Sequence, residues 1–379
     1  MMSALPVHPI AHPVVNLALQ GGGSHGAFTW GVLDALLEDG RVEFEGISGT
    51  SAGAMNAVAL AHGFAQAQGK AKADPRELAR ESLAHFWNGI VSMGALSEAQ
   101  RAPFDLLFGG LGSLGAEQSP AGQWATQLTE AMGNFWTSAL SQNISPYQSN
   151  PLDINPLRGF LEQQVDFEAL AELKTLKLFV VATRVTTGKA EVFHGKHVTA
   201  DAVMASACIP MLFKAVEIAG DHFWDGGYSG NPAIHPLIYH CTSRDVVLVQ
   251  INPIKRDKVP TTAAEIMDRM NEITFNAALI AEMRAIDFVK RLIAQGKLDP
   301  THYKDLLLHR IDGGELLEDY SAASKISTKA TMIHALRDLG RDCAKAWLTQ
   351  HFAALGSLCT VNIAHDYLDD LRAPMKQDK

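Results

Sequence analysis

The chain has 379 residues, of which 47% are hydrophobic and 19% charged, with 31 glycines and 16 prolines; that composition excludes a disordered chain, a collagen-like rod and a small disulfide scaffold. A formal net charge of −9 gives no bulk attraction to nucleic acid or anionic lipid, so no nucleic-acid partner is expected, although a local basic patch remains compatible with it. The four cysteines (Cys208, Cys241, Cys343, Cys359) lie far apart with no Cys-x-x-Cys pair, which fits a reducing compartment and no structural zinc.

Residues 1–13 read as a tail. No Lys or Arg precedes its apolar stretch, and Pro6, Pro9 and Pro13 interrupt it, so it makes a poor secretory signal. No run of 18 or more uncharged apolar residues follows. The expectation is a cytoplasmic protein, at most peripheral to a membrane.

Val14–Leu19 is a short apolar run that stops at Gly21-Gly22-Gly23, as a buried strand would. From Gly26 to Asp39 the apolar residues recur at helical spacing (Phe28, Val32, Leu33, Leu36, Leu37), with Gly40 as a left-handed stop. A second strand around Phe44–Ser48 runs into Gly49-Thr50-Ser51-Ala52-Gly53, and small apolar residues continue to about Ala65. Strand–helix–strand–helix implies a parallel sheet with a right-handed crossover.

Residues 88–151 contain only five charged side chains, where the chain average would give about twelve. The stretch is long, apolar and Gly/Ser-rich. It could form a mobile lid over an apolar pocket or an ordinary helical insertion. Leu176–Thr183 and Val246–Ile251 are near-continuous hydrophobic runs, as expected of strands covered on both faces. Phe213–Ile218 and His222–Trp224 predict a hairpin around Ala219-Gly220-Asp221. Beyond residue 256 the pattern turns helical. Thr262-Ala-Ala-Glu265 fits a capping box, followed by an apolar stripe at Ile266, Met270, Ile273, Ala277 and Ile280, and more helix is expected over residues 329–353.

Gly49-x-Ser51-x-Gly53 is the strongest chemical signal. A serine at a tight strand-to-helix turn projects its Oγ clear of the sheet, and the following helix N-terminus favours developing negative charge. Gly21-Gly22-Gly23-Ser24-His25-Gly26, at the preceding turn, would let backbone N–H groups converge on a phosphate or on the oxyanion of acyl transfer. It also matches a dinucleotide fingerprint, with Glu43 or Glu45 as the acidic ribose contact. A nucleophilic serine needs a base. Asp225-Gly226-Gly227 and Asp312-Gly313-Gly314 both follow strand-like runs, and spacing does not rank them. Either could equally be a turn aspartate bonding its own backbone.

Taken in order, Gly-Gly-Gly-x-x-Gly, Gly-Thr-Ser51-Ala-Gly, Ala205-Ser-Ala-Cys-Ile-Pro210 and Asp225-Gly-Gly resemble the patatin-like phospholipase family over roughly residues 14–255. The resemblance implies an α/β three-layer fold with a mostly parallel central sheet, carrying the 88–151 insertion and followed by a helical region over 256–379. It implies a dyad of Ser51 as nucleophile and Asp225, rather than Asp312, as base. An oxyanion hole would come from Gly21, Gly22, Gly23 and Ser24, with Gly26, Gly49, Gly53, Gly226 and Gly227 supporting the motifs. No metal or cofactor is needed. The implied partner is a lipid, phospholipid or lysophospholipid, though a neutral ester or a polyester of short hydroxy acids would suit the same parts. One departure stands out: the family usually carries Arg or Lys where this chain has His25, which reads as a surface residue of the first helical turn or as a group titrating near neutral pH.

Two other classes compete. An α/β-hydrolase triad would use a late histidine, His309 or His365, but needs more strands before Ser51 than the two that fit. A non-catalytic lipid- or nucleotide-binding module would keep the fold with an inert serine.

Overall fold

The computed structural model describes residues 12–109, 145–149, 153, 155–210, 212–318, 320, 324–325 and 327–369. Among the described residues eight strands form one sheet: β1 (Val14–Leu19), β2 (Glu43–Thr50), β3 (Lys177–Arg184), β4 (Ala190–His194), β5 (Val216–Ile218), β6 (Asp221–Asp225), β7 (Asp245–Gln250) and β8 (Leu307–Asp312). The order is β5-β6-β3-β2-β1-β7-β8, with β4 paired to β3. Strands β3, β2, β1, β7 and β8 run parallel, while β4, β5 and β6 pair antiparallel.

The central strands are hydrophobic throughout because both faces are covered. Val15, Leu17 and Leu19 of β1, with Val247 and Val249 of β7, enter one core. The alternate residues Ala18, Val246 and Leu248 enter the other, as the period of two requires. The first core holds α1 (Gly26–Asp39) and α2 (Ala52–Ala67), the start of α3 (Pro75–Gly109), α4 (Ala200–Ser206) and α6 (Ala330–His351). The second holds Leu279, Met283 and Ile286 of α5 (Ala263–Ala294) and Ile363 and Tyr367 of α7 (Ile363–Leu368). These are the flanking layers of an α/β fold.

Helix α1 ends at Gly40 with φ 74°, the left-handed stop expected from sequence. Only Val216–Ile218 of the expected first hairpin strand is paired. Of the apolar insertion, residues 88–109 continue α3 as helix, and the lid reading over residues 110–144 falls outside the described residues. Nor are the residues after 256 helical throughout, since β8 completes the sheet. Helix α6 packs so closely on α1 that a Cβ at Gly31 would lie 1.8 Å from the Arg337 carbonyl oxygen. A side chain there would force the helices apart.

Helix α5 begins with the expected capping box, Thr262 and Glu265 exchanging hydrogen bonds with each other's backbone. Its apolar stripe, however, does not face the core. Ile266, Met270 and Ile273 are exposed by 43%, 56% and 55%, whereas Glu272 and Asn276 are buried. The reason is polar: Asn276 Oδ1 accepts from Gln20 Nε2 at 2.9 Å, and Glu272 pairs with Arg256 at 2.6 Å and Arg269 at 3.1 Å. Satisfying these groups fixes the helix rotation. Among the described residues no helix is long and apolar enough to cross a membrane.

Candidate active site

Strand β2 ends at Thr50, and α2 starts at Ala52. Between them Ser51 has φ 54° and ψ −124°, a conformation that L side chains rarely adopt and that costs on the order of 1–3 kcal/mol. Close packing holds the bend. A Cβ at Gly53 would come within 2.2 Å of the Leu19 carbonyl oxygen, so only glycine lets α2 approach β1 this closely. The Ser51 N–H donates to Ser206 Oγ at 2.9 Å, and its carbonyl accepts from Met55 N at 3.1 Å.

Strand register brings Asp225 to this bend. Thr50 pairs with Val181, and Asp225 pairs with the next residue, Ala182. Since β4 lies along residues 179–183 on the other edge of β3, β6 takes up the edge that β2 leaves at Thr50. Contacts at Gly226 agree: a Cβ there would meet the Val181 carbonyl oxygen at 2.1 Å and Thr50 Cγ2 at 3.0 Å. Gly227 lies against the Phe275 ring of α5.

Asp225 is 1% exposed. Its N–H donates to the Cys208 carbonyl at 2.8 Å, and its carbonyl accepts from Thr183 Oγ1 at 2.8 Å. Oδ1 accepts from the Gly227 N–H at 2.7 Å, while Oδ2 is buried and makes no hydrogen bond of good geometry. Burial pushes the carboxyl pKa up to about 7, with the Gly227 amide and the adjacent Ser51 hydroxyl holding it down in part. A carboxyl that titrates near neutrality beside a strained serine is suited to accepting a proton.

The glycine-rich turn borders the same point. A Cβ at Gly21 would sit 2.7 Å from Ser51 Cβ. The Gly21 N–H already donates to Asn231 Oδ1 at 2.6 Å, which leaves the Gly22, Gly23 and Ser24 amides as the oxyanion-hole candidates. Gly23 has φ 58° and opens a single helical turn that leads through Gly26 into α1. A Cβ at Gly26 would meet Ala52 Cβ at 2.7 Å, and one at Gly49 would meet the Gly53 carbonyl oxygen at 2.5 Å. Ser51, Asp225 and the glycines of both turns therefore lie at one end of the sheet.

His25 does not behave as expected. It is 3% exposed, with Nε2 2.7 Å from Ser324 Oγ and its ring edge-on to Tyr320. Burial, with Lys325 and Arg256 nearby, lowers its pKa to about 3, so it stays neutral across the physiological range. The surface reading and the near-neutral titration reading are both overturned, because a stretch some 300 residues later covers it.

The rival bases lie elsewhere. Asp312 ends β8, two strands beyond β1 and three from β2, or about 14 Å at the usual strand spacing. It pairs with Arg310 at 2.6 Å. His309 is fully buried between Asp245 Oδ1 at 3.0 Å and Thr360 Oγ1 at 3.1 Å, and His365 is exposed on α7.

Several residues with no motif to mark them hold the site together. Gln20 accepts from the Ile251 and Asn252 N–H groups at 2.9 and 2.8 Å, Asn252 Nδ2 donates to the Gly21 carbonyl at 2.7 Å, and Thr50 Oγ1 donates to the Gly230 carbonyl at 2.6 Å. Ser206 lies in the Ala205–Pro210 segment, which carried the resemblance but no assigned role. Among the described residues no group of three or more His, Cys, Asp or Glu side chains comes together as a metal-ligand set.

A strained serine at a strand-to-helix bend, a buried carboxyl and a glycine-rich turn thus share one end of a parallel sheet, an arrangement compatible with acyl transfer. Residues 17–238 match the family model of patatin-like phospholipases, and the chain belongs to that family. Membership supports lipid acyl hydrolase activity in general. Comparison with curated proteins finds no match. Among solved structures, the chain is similar to VipD from Legionella pneumophila, at 18% identity and a TM-score of 0.38, over 89% of this chain and 67% of that one.

Proposed function

We propose that the protein hydrolyses carboxyl esters of lipids, phospholipids or lysophospholipids, through a Ser51–Asp225 dyad. The observation that supports this reading is the register Thr50–Val181 and Ala182–Asp225, which brings the end of β6 to the Ser51 bend, together with the interaction of the Ser51 hydroxyl with the buried Asp225 carboxyl. Asp225 accepts the Ser51 proton as Oγ bonds to the ester carbonyl carbon. The carbonyl oxygen becomes an oxyanion facing the glycine-turn amides. As the tetrahedral intermediate collapses, the C–O bond to the alcohol breaks, and the alcohol leaves with the proton from Asp225. Water then adds to the acyl-enzyme, giving its proton to Asp225. Collapse releases the acid and returns that proton to Ser51.

Four unpaired cysteines support a reducing, cytoplasmic location, with only transient contact at a membrane surface. A neutral ester or a polyester would use the same dyad and differ only in what binds beyond the carbonyl.

The test is a hydrolysis panel of phospholipids, lysophospholipids, neutral glycerides and short acyl esters, run beside Ser51→Ala and Asp225→Asn. We expect both variants to lose at least about a thousandfold in kcat with circular dichroism unchanged, and a fluorophosphonate to label Ser51 in the wild type. Turnover retained in either variant rejects the dyad. An unlabelled wild type that hydrolyses nothing in the panel supports a binding module instead.

A further inference from the structure

The residues covering the glycine-rich turn come from the stretch between β8 and α6, outside the region that matches the family model. Lys325 is central among them. Its carbonyl oxygen lies 2.2 Å from where a Gly23 Cβ would be, so this backbone rests directly on the turn. Its Nζ donates to Asn252 Oδ1 at 2.8 Å. Asn252 in turn donates Nδ2 to the Gly21 carbonyl at 2.7 Å and its N–H to Gln20 at 2.8 Å. Lys325 thus grips the turn at two points, through its own backbone at Gly23 and through Asn252 at Gly21.

Lys325 also brings charge. The turn's own ionisable residue, His25, is neutral and buried, and Lys325 is the cation that acts on it most strongly. Burial lowers the Lys325 pKa, and the carboxylates of Glu272 and Asp268 pull it back up, with Arg256 opposing them. Arg256 and Arg269 pair with Glu272. Lys325 therefore lies behind the turn, beside Glu272 and Asp268, whose carboxylates favour its charged form. A positive charge in a partly buried site stabilises a developing oxyanion more than a neutral ester, and such differential stabilisation raises kcat rather than lowering KM.

We propose that Lys325 is a positioning residue of the active site: through Asn252 and its own backbone it fixes the Gly21–Ser24 turn, and its ammonium supplies the positive field under which the oxyanion forms. The assignment rests on the Ser51 acyl-transfer reading. It concerns a residue acting through the turn, not one touching substrate.

The test compares Lys325→Met, Lys325→Gln and Lys325→Arg with the wild type in the full-length protein. Two readouts are taken, hydrolysis of a short soluble ester and the rate of Ser51 labelling by a fluorophosphonate, which also passes through an oxyanion-like state. Lys325→Met is expected to lose roughly 10- to 100-fold in kcat and in labelling rate, with KM changed less than about threefold. Lys325→Gln keeps a donor for Asn252 without the charge, and should lose nearly as much. Lys325→Arg should recover most of the rate. If Lys325→Met fails to fold, Lys325→Gln carries the comparison. An unchanged kcat in a folded neutral variant overturns the proposal, as do equal losses in all three variants or a change confined to KM. Wild-type hydrolysis that persists in Ser51→Ala would instead defeat the underlying reading, so the two failures are distinguishable.

Discussion

Asp225→Asn separates what the carboxyl does for turnover from what it does to stability. Burial raises the Asp225 pKa from 3.8 to about 7. The folded state therefore holds this proton more tightly than the unfolded chain. The associated stability is fully present below pH 3.8, declines as pH rises through the window, and is lost above about pH 7. At about 1.4 kcal/mol for each pH unit the loss is about 4 kcal/mol. Asparagine keeps an oxygen for the Gly227 N–H and has nothing to ionise. The variant should match the wild type in stability near pH 4 and exceed it by up to about 4 kcal/mol at pH 8.5, or about 5 °C in Tm for a cooperative unit of this length. Guanidinium unfolding of both proteins at the two pH values measures the difference directly, and other titrating groups cancel in the comparison. Over the same range wild-type kcat on a soluble ester should rise with pH to a plateau above about 7, because only the carboxylate can accept the Ser51 proton, while the variant stays inactive. A stability difference that does not change between pH 4 and 8.5, or a wild-type profile flat from pH 5 to 8, would refute the link between burial and base strength.

Other substitutions probe the frame around the dyad. Ser206→Ala removes the acceptor of the Ser51 N–H and should cost about 1–3 kcal/mol, with kcat down roughly tenfold as the bend loosens; equal wild-type and variant kcat would exclude that role. Gly53→Ala places a methyl 2.2 Å from the Leu19 carbonyl, and an overpacking cost of about 3 kcal/mol or more should appear as a lowered denaturation midpoint. His309→Gln breaks the contact with Asp245 and should cost about 2 kcal/mol, yet leave kcat of the folded protein within about twofold. A large loss of kcat there would revive a histidine triad.

Local pattern carried much of this structure. The strand-turn-helix rhythm around Ser51 is written in contiguous residues: an apolar run, a glycine pair flanking one serine, then small apolar residues that let a helix lie close to the sheet. Asp225 and Asp312 open the same three letters, and what separates them is the order of strands in the sheet, since β6 joins β3 where β2 ends whereas β8 lies three strands from β2. His25 looked like a first-turn surface residue since nothing near it in the chain covers it; Tyr320, Ser324 and Lys325 do. On α5 the apolar period located the helix and misplaced its face. Burying Glu272 and Asn276 against matched partners outweighed burying Ile266 and Met270, and those partners, Gln20, Arg256 and Arg269, form no motif. The same holds for Asn231 and Asn252, isolated polar residues whose importance lies in what they bond across the sheet, while Ser206 sits in a recognisable segment that does not by itself reveal its bond to Ser51.

The grip of Lys325 on Gly23 has a bearing on biosynthesis. A chain still on the ribosome with its first 300 residues exposed already contains the serine, the aspartate and the glycine turn. It lacks β8, the helix seated on Gly31 and the backbone resting on Gly23. The frame around the glycine turn is therefore complete only once residues 307–351 have joined it, because β8 pairs with β7, α6 packs on Gly31 and the Lys325 backbone packs on Gly23.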